Sequence, residues 1–240
     1  MNRRYIRQIK IIGEEGQKKL KNARVAVVGI GGLGSIASYY LAAAGIGYLR
    51  LIDFDVVEES NLNRQIIHWT NDIGRPKSES AAIKLLQLNP EIKIDPVNEK
   101  IDENNVKNLL KDIDVIVDGQ DNLKTRLIIN EFAVNNNIPY VYGAVYGMEG
   151  CLMTIIPNKS PCLRCLYPGE AKSHESIPVL GPTPGVIGCL EATEAIKIIT
   201  GIGKLAIGRL ILYDGENMCF QEFHISKNPN CSVCGKNKNK

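Results

Sequence analysis

Four cysteines, one glycine-rich loop and a short series of charged residues carry most of the chemical information in this chain. Cys162-x-x-Cys165 and Cys231-x-x-Cys234 are two thiol pairs, each spaced so that both sulfurs can reach one ion. Four thiolates make a closed tetrahedral zinc site, structural because no coordination position is left open. Gly29-x-Gly31-x-x-Gly34 is a second signal. Glycines at this spacing allow a tight turn and let the backbone approach a phosphate, provided that a strand precedes them and a helix follows. Asp53 stands 24 residues after Gly29, where a carboxylate can accept from ribose hydroxyls. Taken alone, this set suggests NAD. Asn61-Leu62-Asn63-Arg64-Gln65, Gly74-Arg75-Pro76-Lys77 and Asp121-Asn122 point elsewhere. Fixed cations with a carboxylate available for Mg²⁺ are the equipment of phosphate-ester chemistry. Singly, Arg64 and Lys77 read as solvated charges and Asp121 as a helix N-cap.

The elements that must position these residues follow from hydrophobic pattern. Residues 24–28 and 48–52 are continuous apolar, β-branched runs and read as buried strands, with an Ala-rich helix at 35–44 between them. Further helices are expected at 77–88, 106–110, 123–134 and 186–200, and at 14–21, a polar stretch with little pattern. Further strands are expected at 92–97, where Pro96 weakens the end, and at 113–117 and 138–142. After about residue 143 the pattern turns to β, with strands at 150–156, 209–213 and 220–225. Residues 160–185 read as a long loop, which in a compact domain is functional or mobile. The fold class is therefore α/β: a Rossmann-like, doubly wound, mostly parallel sheet with a C-terminal β-rich portion and a four-cysteine zinc site. Residues 1–240 form one domain in this reading, with a nucleotide-binding half at about 24–143, a zinc-bearing half at about 144–235 and a disordered tail at 236–240.

Composition excludes several functions. The 240 residues contain 29 Lys plus Arg against 26 Asp plus Glu, a net charge of +3, too balanced for an electrostatic nucleic-acid binder. With 44% hydrophobic and 23% charged residues the chain is globular and not disordered. Its apolar runs are far shorter than the ~20 residues of a membrane span, and the start lacks an apolar signal core. The expectation is a cytoplasmic protein, where seven cysteines need a reason other than disulfides.

In order along the chain, the motifs resemble those of the E1-like adenylyltransferase family: MoeB, ThiF, HesA and the activating enzymes of ubiquitin-like proteins. The matching residues are Arg4-Tyr5-Ile6-Arg7-Gln8, Gly29-Ile30-Gly31-Gly32-Leu33-Gly34, Asp53-Phe54-Asp55, Asn61-Leu62-Asn63-Arg64-Gln65, Gly74-Arg75-Pro76-Lys77, Asp121-Asn122, Gly188 with Glu194-Ala195-Ile196-Lys197, and both cysteine pairs. The resemblance implies a homodimer that adenylates a carboxylate with Mg-ATP. Asp53 would then hold the ribose, with Asp55 beside it. Asn61, Arg64 and Lys77 would contact phosphates, Gln65 and Asn122 would border the nucleotide, and Asp121 would bind Mg²⁺. Arg7 would act in the other subunit's site. The family's usual substrate is the C-terminal Gly-Gly carboxylate of a ubiquitin-like sulfur carrier of the ThiS or MoaD kind. An alternative is a small-molecule carboxylate, as with the guanylylpyridinol precursor of the [Fe]-hydrogenase cofactor.

The sequence also departs from the family pattern. Residues 166–188 hold no cysteine for a thioester or persulfide link, and His174 lies near that place. Gly119-Gln120 replaces the family's small-residue–Thr pair before Asp-Asn. Cys151 and Cys219 fall in strands and Cys189 at a helix start, as packing residues. His68 and Trp69 either shape the phosphate segment or pack beneath it. His224 belongs to a strand, and Tyr142, Tyr146 and Met148 line a groove or fill the core.

Overall fold

The computed structural model describes residues 3–169 and 178–235. His174 and the expected tail at 236–240 lie outside the described residues. Eight strands form one sheet: β1 (Arg24–Val28), β2 (Tyr48–Ile52), β3 (Lys93–Val97), β4 (Val115–Asp118), β5 (Tyr140–Tyr146), β6 (Glu149–Ile155), β7 (Arg209–Asp214) and β8 (Cys219–His224). Their order is β3-β2-β1-β4-β5-β6-β7-β8. The first five are parallel, and β6 to β8 add antiparallel strands to the same sheet. β5 runs through residue 143, where the sequence changes character, so the β-rich segment extends the nucleotide-binding sheet directly. Pro96 is tolerated because β3 is an edge strand.

Alternation along the strands sends side chains to two cores. On one face Val25 and Val27 of β1 meet α1 (Ile6–Asn22), α2 (Gly32–Ala44), α3 (Lys77–Leu88) and α7 (Pro182–Thr200) through Leu20, Ala37, Leu41, Ala81, Leu85, Ala192 and Ala195. On the other, Ala26 and Val28 meet α4 (Val106–Leu109) and α5 (Leu123–Asn135) through Leu109, Leu127, Ile129 and Ala133. α6 (Leu163–Leu166) and the cysteine pairs join this second core.

Helix ends follow local chemistry. Gly45 and Gly201 close α2 and α7 in the left-handed region, at φ 84° and 81°. α1 is longer than the sequence pattern suggests, and is kinked where Gly13 takes φ 72°. α7 starts at Pro182, four residues earlier than expected, because proline suits the first turn of a helix. Among the described residues no helix is long and apolar enough to cross a membrane.

Candidate active site

The β1–α2 and β4–α5 connections leave the sheet in opposite directions, because β1 and β4 are neighbours at the point where strand order reverses. Doubly wound sheets bind ligands in the crevice this creates. A cleft of about 650 Å³ opens there, bounded by Gly29, Gly31, Gly32, Asp53, Asp55, Arg64, Gln65, Lys77, Asp121 and Asn122. The structure therefore brings ten of the residues singled out in the sequence to one cavity. Gly34, Asn61 and Arg7 do not line it. Gly34 permits close packing instead: a Cβ there would overlap the Gly29 carbonyl. Asn61 is buried, and its Oδ1 accepts from the Glu58 N–H at 3.0 Å, which shapes the turn before Arg64. Arg7 is exposed near the start of α1.

The glycine loop is held from below by Asp53. Its carboxylate accepts from the Ile30 N–H at 2.6 Å and the Asp55 N–H at 2.8 Å. Burial pushes this carboxyl up, while the two N–H donors and Lys77 pull it back. Gly29 sits at φ 93°, a conformation that needs glycine. A Cβ on Gly119 would also overlap the Gly29 carbonyl, so glycine at 119 has a steric reason, while nothing in the structure explains Gln120. Lys77 pairs with Asp55 at 3.0 Å, and Arg64 donates to the Ser60 carbonyl at 2.8 Å and to Asn63 Oδ1 at 2.9 Å. Asn122 caps α5, accepting from the Thr125 N–H at 2.9 Å. The cap is thus Asn122 and not Asp121, which leaves the exposed Asp121 carboxylate at the cleft with, among the described residues, a single 3.4 Å contact, to Asn122. Gln65 Oε1 is buried beside the cleft and has no hydrogen-bond partner among the described residues, as suits an oxygen that meets a ligand donor.

Sequence reading missed the floor. Arg126 forms a buried pair with Asp118 at 2.9 Å, donates to the Gly143 carbonyl at 2.8 Å and also bonds the Gln120 carbonyl. Tyr140 donates to the same carboxylate at 2.8 Å. Burial raises the Asp118 carboxyl, but three donors surround it, and the Arg126 guanidinium stays charged beside it. Beneath lies Glu191, fully buried, with neither carboxyl oxygen bonded among the described residues, and burial pushes its pKa well above the ordinary value. A faint signal existed: an arginine four residues into a helix that begins at a ligand loop.

Away from the cleft, Cys162, Cys165, Cys231 and Cys234 converge, with all four sulfurs within 4.8 Å of one another. Cys162 and Cys231 sulfurs are 3.6 Å apart, and those of Cys165 and Cys234 3.4 Å. Tetrahedral zinc with Zn–S bonds of ~2.3 Å requires sulfur separations of roughly 3.8 Å, so the cluster fits a zinc ion.

Comparison with known proteins agrees with this geometry. The ThiF family model matches residues 5–233. The chain is 45% identical to the SAMP-activating enzyme E1 of Haloferax volcanii, with 97% of this chain and 88% of that protein covered. It is 42% identical to the molybdopterin-synthase adenylyltransferase of Escherichia coli (97% and 96%) and 39% identical to the sulfur carrier protein adenylyltransferase of Thermus thermophilus (97% and 90%). The crystal structure of E. coli MccB with ATP superposes with a TM-score of 0.87 at 27% identity, covering 98% of this chain and 75% of that one. A glycine loop, an acid after β2 and cations over the crevice, on this fold and with these relatives, place the chain in the ThiF family of E1-like adenylyltransferases.

Proposed function

We propose that the protein uses Mg-ATP to adenylate the C-terminal Gly-Gly carboxylate of a ubiquitin-like sulfur-carrier protein, releasing pyrophosphate. The observation that carries this reading is the convergence of Arg64, Lys77 and Asp121 on one cleft at the N-terminus of α2. Relatives named for a sulfur carrier protein and for molybdopterin synthase support a protein substrate. E. coli MccB, solved with MccA, supports a peptide acceptor at this fold's crevice.

In this reading Asp53 binds the ribose and the helix N-terminus faces the phosphates. Arg64 holds the phosphates, with Asn61 shaping the loop that presents it. Lys77 leaves Asp55 to join Arg64, so its resting partner keeps it in place until nucleotide arrives. The Asp121 carboxylate, a hard oxygen donor, suits Mg²⁺, which when bound would shield the phosphate charge. Arg7 does not line its own cleft and instead completes the site of a second subunit in a homodimer. A carboxylate oxygen attacks the α-phosphorus, and the bond to pyrophosphate breaks. The nucleophile is already ionised near neutral pH, so no general base is needed. The protein's work is to hold two anions in line and offset their repulsion. Residues 166–188 offer no thiol, and in this reading the acyl-adenylate is the product that is handed on. The four-cysteine zinc is structural.

The test is exchange of labelled pyrophosphate into ATP. A carrier ending in Gly-Gly should support exchange, and the same carrier lacking those two residues should not. Arg64→Ala and Asp121→Ala should each lower exchange about a hundredfold or more with unchanged thermal stability. Near-normal exchange in both variants would defeat the assignment. Exchange driven only by small acids would move the substrate from a protein to a metabolite.

A further inference from the structure

His68 lies outside the cleft lining, yet it is built into the glycine loop. The imidazole is 3% exposed. Its Nε2 lies 3.0 Å from the Ile30 carbonyl oxygen and its Nδ1 2.9 Å from Ser80 Oγ. A carbonyl can only accept, so Nε2 carries the proton and Nδ1 accepts from the serine hydroxyl. Ser80 Oγ in turn accepts from Lys84 Nζ at 2.8 Å, and Lys84 is ion-paired with buried Asp72. The Ile30 carbonyl thus sets the ring tautomer, and Ser80, which also reaches the Asp72 carboxylate, ties the ring to Lys84 and Asp72. Burial, with Lys77 and Lys84 nearby, lowers the histidine pKa to about 4, so the ring keeps one proton at neutral pH.

Peptide planarity turns this contact into a statement about the site. The C=O of Ile30 and the N–H of Gly31 belong to one trans peptide and point in opposite directions. A carbonyl held towards His68 therefore sends the Gly31 N–H away from the ring. Gly31 borders the cleft and His68 does not. The preceding peptide is pinned independently, by the Ile30 N–H on Asp53. We propose that His68 is a positioning residue for nucleotide: its Nε2–H clamps the Ile30 carbonyl so that the Gly31 N–H is aimed at the anionic end of ATP. This rests on the ATP reading above and extends it from the cleft to the strut behind it. Lys84, Asp72 and Ser80 belong to the same device, and link α3, which carries Lys77, to the loop.

The test combines spectroscopy with binding. In the wild-type protein, ¹⁵N NMR of labelled histidine should show His68 as the neutral Nε2–H tautomer at pH 7; an Nδ1–H tautomer would overturn the proposal. In His68→Ala, affinity for a fluorescent ATP analogue should fall about tenfold, roughly the effect of one lost hydrogen bond. KM for ATP should rise equally, with KM for the carboxylate substrate unchanged. His68→Gln, whose amide can donate to Ile30, should recover binding to within about threefold of wild type. A folded His68→Ala protein with wild-type ATP affinity, or an equal rise in both KM values, would reject the strut. Should His68→Ala not fold, Ser80→Ala keeps the ring but frees it, and should weaken ATP binding in the same direction; wild-type affinity there also rejects it. A wild-type protein that binds no ATP defeats the parent reading as well.

Discussion

Glu191 shows how a single side chain can tie stability to pH. Its carboxyl has no partner among the described residues, and a Cβ on Gly143 would overlap it, so the protein holds it as the neutral acid. An unfolded chain releases that proton near pH 4.5. The raised folded pKa means that the cost is absent below that pH and grows as pH climbs towards the folded value. Glu191→Gln should therefore raise Tm at pH 8 by about 2–4 °C or more and leave it nearly unchanged at pH 4, as measured by calorimetry. An equal gain at both pH values would mean that ionisation is not the cause. Arg126 is the opposite case, since losing it strands Asp118. Arg126→Met should cost about 3–5 kcal/mol in urea unfolding. Neither residue was legible in the sequence. Arg126 and Asp118 are eight positions apart across a strand–helix turn, and nothing local marks them as partners. Asp53 was legible because it ends a strand at a fixed interval after the glycines.

Elements were easier to read than contacts. The strands whose apolar runs are continuous, β1, β2 and β4, appear close to where hydrophobicity alone puts them, as do α3 and α5. The first half of α1 was missed although Ile9 and Ile12 are spaced to share a face with Leu20, because Gly13 and Gly16 interrupt the run and the neighbouring Ile11 is 75% exposed. Read singly, Asp121 was as good a cap for α5 as Asn122, since Asp and Asn are equally good caps and only geometry separates them. That separation has a consequence for the site. Asn122→Ala should cost about 1 kcal/mol and loosen the loop that presents Asp121, so exchange should become more dependent on Mg²⁺ concentration. A more drastic change is Gly119→Ala, whose methyl group would push against the Gly29 carbonyl. It should abolish ATP binding while far-ultraviolet circular dichroism stays unchanged, because two loops cross there and no helix or strand is interrupted.

At the scale of the whole molecule, both the expected dimer and the metal make checkable demands. If Arg7 serves the site of another subunit, inactive Arg7→Ala and inactive Asp121→Ala proteins should complement on mixing. Random re-assortment leaves about a quarter of the sites intact, so about a quarter of wild-type exchange should return. No recovery would place Arg7 outside the trans site. The metal cluster should hold one zinc per chain by elemental analysis, and Cys231→Ser should lose it and lower Tm. The same cluster bears on how the protein is made. Cys231 follows Cys162 by 69 residues, with α7, β7 and β8 translated between them. Synthesis is vectorial, and the sheet around β1 to β5 can assemble as it emerges from the ribosome. Cys162 and Cys165 must then wait as an open, oxidisable dithiol until the second pair appears, so cellular zinc supply and thiol redox state act on the nascent chain before they act on the finished enzyme.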